Sequence, residues 1–290
     1  IGGQAVLDGV MMKAPDHIAV AVRKPDGDIV IKRDAYVSPA KKHKWMGLPM
    51  IRGAVNMVMM MRLGMEVLSS SGQMSGMLDE EPSRFEKWLA KKLGKGVDKV
   101  VMGVAMVLAL ALSAGLFVLL PNLPAKAMRG AGWSLLSVNL ISGLIRIVLL
   151  VGYLIFCGMI PEMKKTFQYH GAEHKTVYAH EAEVELTPEN AQKFSCLHPR
   201  CGTSFLLITF VFSILFFSVM DELALGLLGL DLGGAYFLRI LSRLLLLPLV
   251  AGISYEILKG LAHAQSPFAR ALRWPGMQLQ RLTALQPTPD

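Results

Sequence analysis

The stretch LLSVNLISGLIRIVLLVGYLIFCGMI, residues 135–160, decides the fold of this chain. Arg146 is its one charged residue, and Pro161 follows directly and ends it. A helix crosses the ~30 Å hydrocarbon core of a bilayer with about 20 mostly apolar residues. This block meets that length. It reads as a membrane span, and a buried helix of a soluble domain would not need so long an apolar run.

Three further blocks share its character. Residues 97–120 form the first, ended by Pro121; residues 204 to about 225 form the third, with Asp221 and Glu222 near its far end; residues 236–258 form the fourth. Pro248 inside the fourth is tolerable as a kink, because neighbouring helices re-satisfy the freed backbone. The composition agrees. Of 290 residues, 53% are hydrophobic and only 18% charged, and the mean hydropathy is +0.44. The expected fold is mainly α: a polytopic membrane protein of about four transmembrane helices, with a small cytoplasmic N-terminal β-rich unit.

The net charge of +8 belongs with this reading. Basic loops lie against anionic lipid, so the partner implied is the lipid bilayer and no nucleic acid is expected. Lys and Arg gather before the first span (Arg84, Lys87, Lys91, Lys92, Lys95, Lys99), between the second and third (Lys164, Lys165, Lys175, Lys193, Arg200) and after the fourth (Lys259, Arg270, Arg273, Arg281). The first-to-second loop holds only Lys126 and Arg129. The bias places both termini and the middle loop on the cytoplasmic side of a bacterial cytoplasmic membrane. The polar, basic leading region is not that of a signal peptide. The three cysteines, Cys157, Cys196 and Cys201, are too few and too odd in number for a disulfide framework.

The chain divides into six parts. Residues 1–46 form the β-rich unit, with β-branched runs at 18–22 and 29–31 around the turn Lys24-Pro25-Asp26-Gly27-Asp28, a hairpin signal. Gly2, Gly3 and Gly9 are expected at tight turns. Residues 47–96 hold a Met-rich interfacial or re-entrant helix over 47–70, a Ser/Gly linker over 69–81 and an amphipathic helix over 84–95. Residues 97–160 and 204–260 carry the spans. Residues 161–203 are a polar loop in which Thr187-Pro188 marks a helix start. Residues 261–290 read as a surface-hugging tail with Trp274 as an interface anchor.

The polar loop is where chemistry is expected. In Tyr169-His170-Gly171-Ala172-Glu173-His174-Lys175, a helix puts His170 and His174 one turn apart on one face. Two imidazoles so spaced chelate a divalent metal, and H-x-x-E-H is the pattern in which the Glu activates water. Downstream, Cys196-Leu197-His198-Pro199-Arg200-Cys201-Gly202 offers His198 and Cys201 at ligand-type spacing. His170, His174, His198 and Cys201 would make a tetrahedral zinc set, with Glu173 as the catalytic group. The other reading of these residues is a hydrogen-bonded polar network at the membrane surface. His180 and Glu181, Glu183 and Glu185 read as a solvated face. Two in-span charges are further hints. Arg146 has Asp221 or Glu222 as candidate partners. Glu256, at the level of the loop, is either a further ligand or a pairing partner for His or Arg, or an interfacial carboxylate bonded to Lys259 or a Tyr. Asp221, Glu222, Arg239 and Arg243 are expected to pair on the outer side.

GGQAVLDGVMMKAP (2–15), EMKKTFQYHGAEHKTVYAHE (162–181), LTPENAQKFSCLHPRCGTSFLL (186–207), PLVAGISYEILKGLAH (248–263) and PGMQLQRLT (275–283) together resemble the YqhQ-like bacterial membrane-protein family, over nearly the whole chain. The family's usual residue at the position of Asp8 is Glu, so the carboxylate is kept. The function of that family is unknown; the resemblance implies metal-dependent enzymes and, with them, the metal assignment for His170, Glu173, His174, His198 and Cys201. Two functions follow as expectations: a zinc hydrolase acting at the cytoplasmic face on a lipid, peptide or membrane-protein substrate, or a non-enzymatic scaffold whose loop is stapled by metal or hydrogen bonds. A transporter is disfavoured by the lack of an inverted repeat.

Overall fold

The computed structural model describes residues 1–37, 44–76, 97–229 and 236–289. Four helices in it are long and apolar enough to cross a membrane: Gly103–Gly130, Leu135–Met159, Gly202–Ala224 and Phe237–Ala262. Leu144, Val148 and Phe156 on the second, and Leu244 and Leu245 on the fourth, are exposed. So much outward apolar surface requires hydrocarbon around it. The protein is therefore a membrane protein with a small N-terminal sheet.

That sheet is an antiparallel meander of β1 (Gly2–Val6), β2 (Gly9–Lys13), β3 (His17–Arg23) and β4 (Ile29–Ala35). The expected hairpin is β3–β4, with Arg23 opposite Ile29. Period-two alternation puts Ile18, Val20 and Val22 inside, where they meet Val6, Met11 and Val67. Gly2, Gly3 and Gly9 lie within strands. The β1–β2 turn is instead Leu7-Asp8, where Asp8 takes the left-handed φ of 50° that Asp tolerates.

The Met-rich helix α1 runs Ile51–Met74 and absorbs the start of the expected linker. It buries Gly53, Gly64 and Val67 against the sheet and the fourth span, while Val58, Met61 and Met65 stay exposed. The amphipathic helix expected over 84–95 lies outside the described residues.

The first span is α2 (Val97–Ala114), a π-helical turn (Gly115–Leu119) and α3 (Leu120–Gly130). Pro121 was expected to end this helix, yet the helix passes through it. Pro121 has no N–H for the Phe117 carbonyl four residues back. Arg146 Nε donates to that carbonyl at 3.1 Å. Arg146 thus bonds the weak point of the neighbouring helix.

The remaining helices are α4 (Leu135–Met159), α5 (Pro161–Glu181), α6 (Pro188–Gln192), α7 (Gly202–Leu228), α8 (Tyr236–His263) and α9 (Pro267–Thr283). Ser134, Thr187 and Ser266 cap α4, α6 and α9 through their side-chain oxygens, and Pro opens α5, α6 and α9. The spans α4, α7 and α8 pack on one another in sequence. In the tail, α9 packs on α7, α4 and α5, and Leu279 joins a core with Leu150 and Leu207. Phe268, Leu272 and Trp274 stay exposed.

Candidate metal centre

Helix α5 builds the centre. Its i, i+4 geometry brings the His170 and His174 rings to 4.5 Å between centroids. Gly171 between them is flush with the Leu285 carbonyl; a Cβ there would sit 1.9 Å from it. Only glycine admits the tail segment so close, and Leu285 N–H donates back to the Phe167 carbonyl at 2.9 Å.

The tail and the loop before α7 then orient both imidazoles. His170 Nδ1 bonds the Thr283 carbonyl at 2.7 Å, and His174 Nδ1 bonds the Cys196 carbonyl. A carbonyl only accepts, so each Nδ1 must carry the proton and each Nε2 keeps its lone pair. That is how ligating histidines are held in metal sites. His170 Nε2 meets Cys201 Sγ at 3.2 Å. His170, His174 and Cys201 offer ligand atoms that all lie within 4.8 Å of one another. Ligands of a tetrahedral zinc are spaced roughly 3.3–3.8 Å apart, given bond lengths of about 2.0–2.3 Å. The trio fits with small adjustments. Cys201 precedes α7, and Thr203 N–H approaches its sulfur at 3.4 Å.

The other candidate residues stand around this trio. His198 is buried, its ring 5.7 Å from that of His174 and 4.6 Å from Tyr178. Its Nδ1 accepts from Arg200 N–H at 3.3 Å, and its Nε2 lies 3.8 Å from Glu181. Burial, with His174 beside it, lowers its pKa to about 4. Glu181 is not a free surface charge, since it also pairs with Arg200. His180 is exposed, as expected. Cys196 sends its thiol to Gln286 Oε1 at 3.2 Å rather than to the trio, and burial raises its pKa.

Glu173 is buried on the side of α5 that faces β1. A Cβ on Gly3 would lie 2.6 Å from its Cγ, so Gly3 is what lets the strand reach the helix. Burial pushes the Glu173 carboxyl above the usual carboxylate range, with His170 and the Gly3 N–H pulling the other way. The N-terminal sheet is therefore a wall of the centre. A cavity of about 470 Å³ lies on another face of α5, lined by Asp8, Lys165, Tyr169, Ala172, Gln192 and Pro287. None of the trio lines it.

Sequence reasoning missed the residues that hold the centre in place. Gln280, fully buried, accepts from His198 N–H at 2.8 Å and donates to the His198 carbonyl at 2.9 Å and to Ser204 Oγ at 2.7 Å. Buried Lys175 donates to the Gln192 and Phe194 carbonyls at 2.8 and 2.6 Å, pinning the segment that leads to Cys196. Gln280 lies in the motif PGMQLQRLT, between Leu279 and Arg281, and nothing local says what it meets. Glu256 is a pairing partner for an arginine, one of its expected roles: Arg52 of α1 grips it through Nε at 2.7 Å and through a second short bond.

The curated comparison finds a relative 32% identical over 292 residues, covering 99% of this chain and 86% of the relative: the uncharacterized protein YqhQ of Bacillus subtilis (strain 168). No solved structure matches. The family described as "Protein of unknown function (DUF1385)" matches residues 48–290, and the chain belongs to it.

Proposed function

We propose that this protein is a metal-dependent hydrolase of the bacterial cytoplasmic membrane, working at the cytoplasmic face with both termini on that side. A divalent ion, zinc by its donor set, is held by His170, His174 and Cys201. The observation that carries this is the pair of imidazoles held by Nδ1 on backbone carbonyls, with His170 Nε2 on Cys201 Sγ. Three protein ligands leave a fourth position for water or substrate, the arrangement of catalytic zinc sites. A zinc ion there polarises a carbonyl or acidifies a water. Glu173, buried beside His170 with its pKa raised, serves as the proton-transfer group. The substrate class consistent with the location is a lipid, peptide or membrane-protein segment. The Lys and Arg flanking α5 and α9 support the orientation.

A second reading has its own observation. The cluster ties α5, the loop before α7, α9 and the tail segment together. His198, next to His174, would then be the fourth ligand of a closed structural site, and the protein a scaffold.

Metal analysis of the purified full chain tests both. About one zinc per chain is expected, lost in His170→Ala, His174→Ala and Cys201→Ser but kept in His198→Ala and Glu173→Gln. Cobalt exchange should give a sulfur-to-cobalt absorption band absent from Cys201→Ser and shifted by added azide. A band indifferent to azide, with zinc lost in His198→Ala, would favour the scaffold. A wild-type chain that takes up no stoichiometric metal overturns both metal readings.

A further inference from the structure

At the far end of the bundle, away from α5, a second polar cluster is built into the spans. Asp221 of α7, 1% exposed, accepts from Asn139 Nδ2 at 2.9 Å and from Arg243 at 3.1 Å, with the Arg239 guanidinium at 3.4 Å. Arg239 also donates to Asn139 Oδ1. Arg146 lies within electrostatic reach of Arg243. Glu222 is occupied otherwise, accepting from Leu136 N–H at the start of α4 at 2.8 Å. Among the described residues one carboxylate, Asp221, is thus shared by Arg239 and Arg243, with Arg146 nearby. Guanidinium stays charged in proteins, so the surplus is positive and permanent.

The donors are not used up. Arg239 Nε and Arg243 Nε are buried and have no hydrogen-bond partner among the described residues. Unsatisfied donors on surplus cations within a membrane are costly, and such groups mark functional positions. The Arg243 side chain is still 25% exposed, so the cluster is open on one side. Arg239 and Arg243 lie in the first turns of α8. At ~1.5 Å per residue that is about 5–10 Å in from the helix end. The polar headgroup and interfacial layer beside the hydrocarbon core is about 5–8 Å deep on each side, and the ends of a span reach into it.

We propose that Arg239 and Arg243 form a binding site for a phosphate-type anion at this membrane face, with Asn139 and Asp221 positioning the two guanidiniums. The planar fork of arginine matches phosphate oxygens in pairs. The same chemistry is offered by a phospholipid headgroup and by free phosphate. The site is independent of the metal centre at the other end.

The test uses the full chain, delipidated in detergent, and follows its thermal midpoint. The additions are phosphatidylglycerol, a diacylglycerol of the same chains, sodium phosphate, and sodium chloride at matched ionic strength. A ligand of the native state raises the midpoint. Phosphatidylglycerol should raise it by about 3–5 °C over diacylglycerol. Arg239→Gln and Arg243→Gln should each remove at least half of that gain, while Arg281→Gln, an exposed arginine of α9, leaves it intact. An equal rise with sodium phosphate over chloride assigns the site to a soluble anion. If the glutamine variants do not fold, Arg239→Lys and Arg243→Lys, which keep the charge and lose the fork, give the same reading. The proposal is overturned if the gain survives in the folded Arg239 and Arg243 variants, or if neither phosphate source exceeds its control.

Discussion

The helices α4, α7 and α8 carry polar residues at both ends, and the two ends solve different problems. At the far end, Asp221 is set among arginines, charge against charge. At the α5 end, two imidazoles are fixed through Nδ1 with a thiol beside them. The first arrangement keeps permanent charges inside a membrane protein by pairing them. The second keeps lone pairs aimed and available. The difference teaches that buried polarity alone does not mark a ligand site. What marks it is which atoms are bonded and which are left over: guanidinium donors at one end, imidazole acceptors at the other.

This contrast can be broken by substitution. The largest effect is expected for Asp221→Ala, which takes from Arg239 and Arg243 the carboxylate they share. It should destabilise the solubilised protein by about 3–5 kcal/mol, measured by denaturant unfolding, with bound metal unchanged in the fraction that folds. Asp221→Asn should cost less. A metal loss in folded Asp221→Asn would mean that the two ends are one cooperative unit.

Gln280→Ala should cost about 1–3 kcal/mol, because the His198 N–H and C=O and Ser204 lose a buried partner. Unlike Asp221→Ala, it should also weaken metal retention against a chelator. Gly3→Ala comes next, at about 1–3 kcal/mol, through overpacking against Glu173. Its particular sign is at the centre: Glu173 is displaced, so any hydrolytic activity falls further than stability does. Thr187→Ala removes the cap of α6, where Asn190 N–H donates to Thr187 Oγ1 at 3.3 Å. It should cost about 1 kcal/mol by thermal unfolding and leave both ends as they were.

The spans could be read directly because length and apolarity are local properties, as are the Thr187-Pro188 helix start and the β3–β4 turn. The pair His170 and His174 was legible for the same reason: an i, i+4 spacing fixes which side chains share a helix face. The first span's end was misjudged because Pro121 breaks a hydrogen bond that a residue on another helix, Arg146, replaces. Gly3 is not the turn glycine expected because it serves a contact with Glu173, far away in the chain, as Gly171 does with Leu285.

The sequence by itself determined that this is a four-span membrane protein with a His/Glu/Cys segment between the second and third spans. A bilayer tests each segment for length and polarity separately, so no packing knowledge is required. Only the tertiary structure decided that Cys201 meets His170 while Cys196 turns to Gln286, that Glu256 belongs to Arg52, and that the sheet and the tail enclose the centre. Those choices depend on which carbonyl or cation stands within 3 Å once distant segments pack, and the spacing of residues along the chain does not encode that.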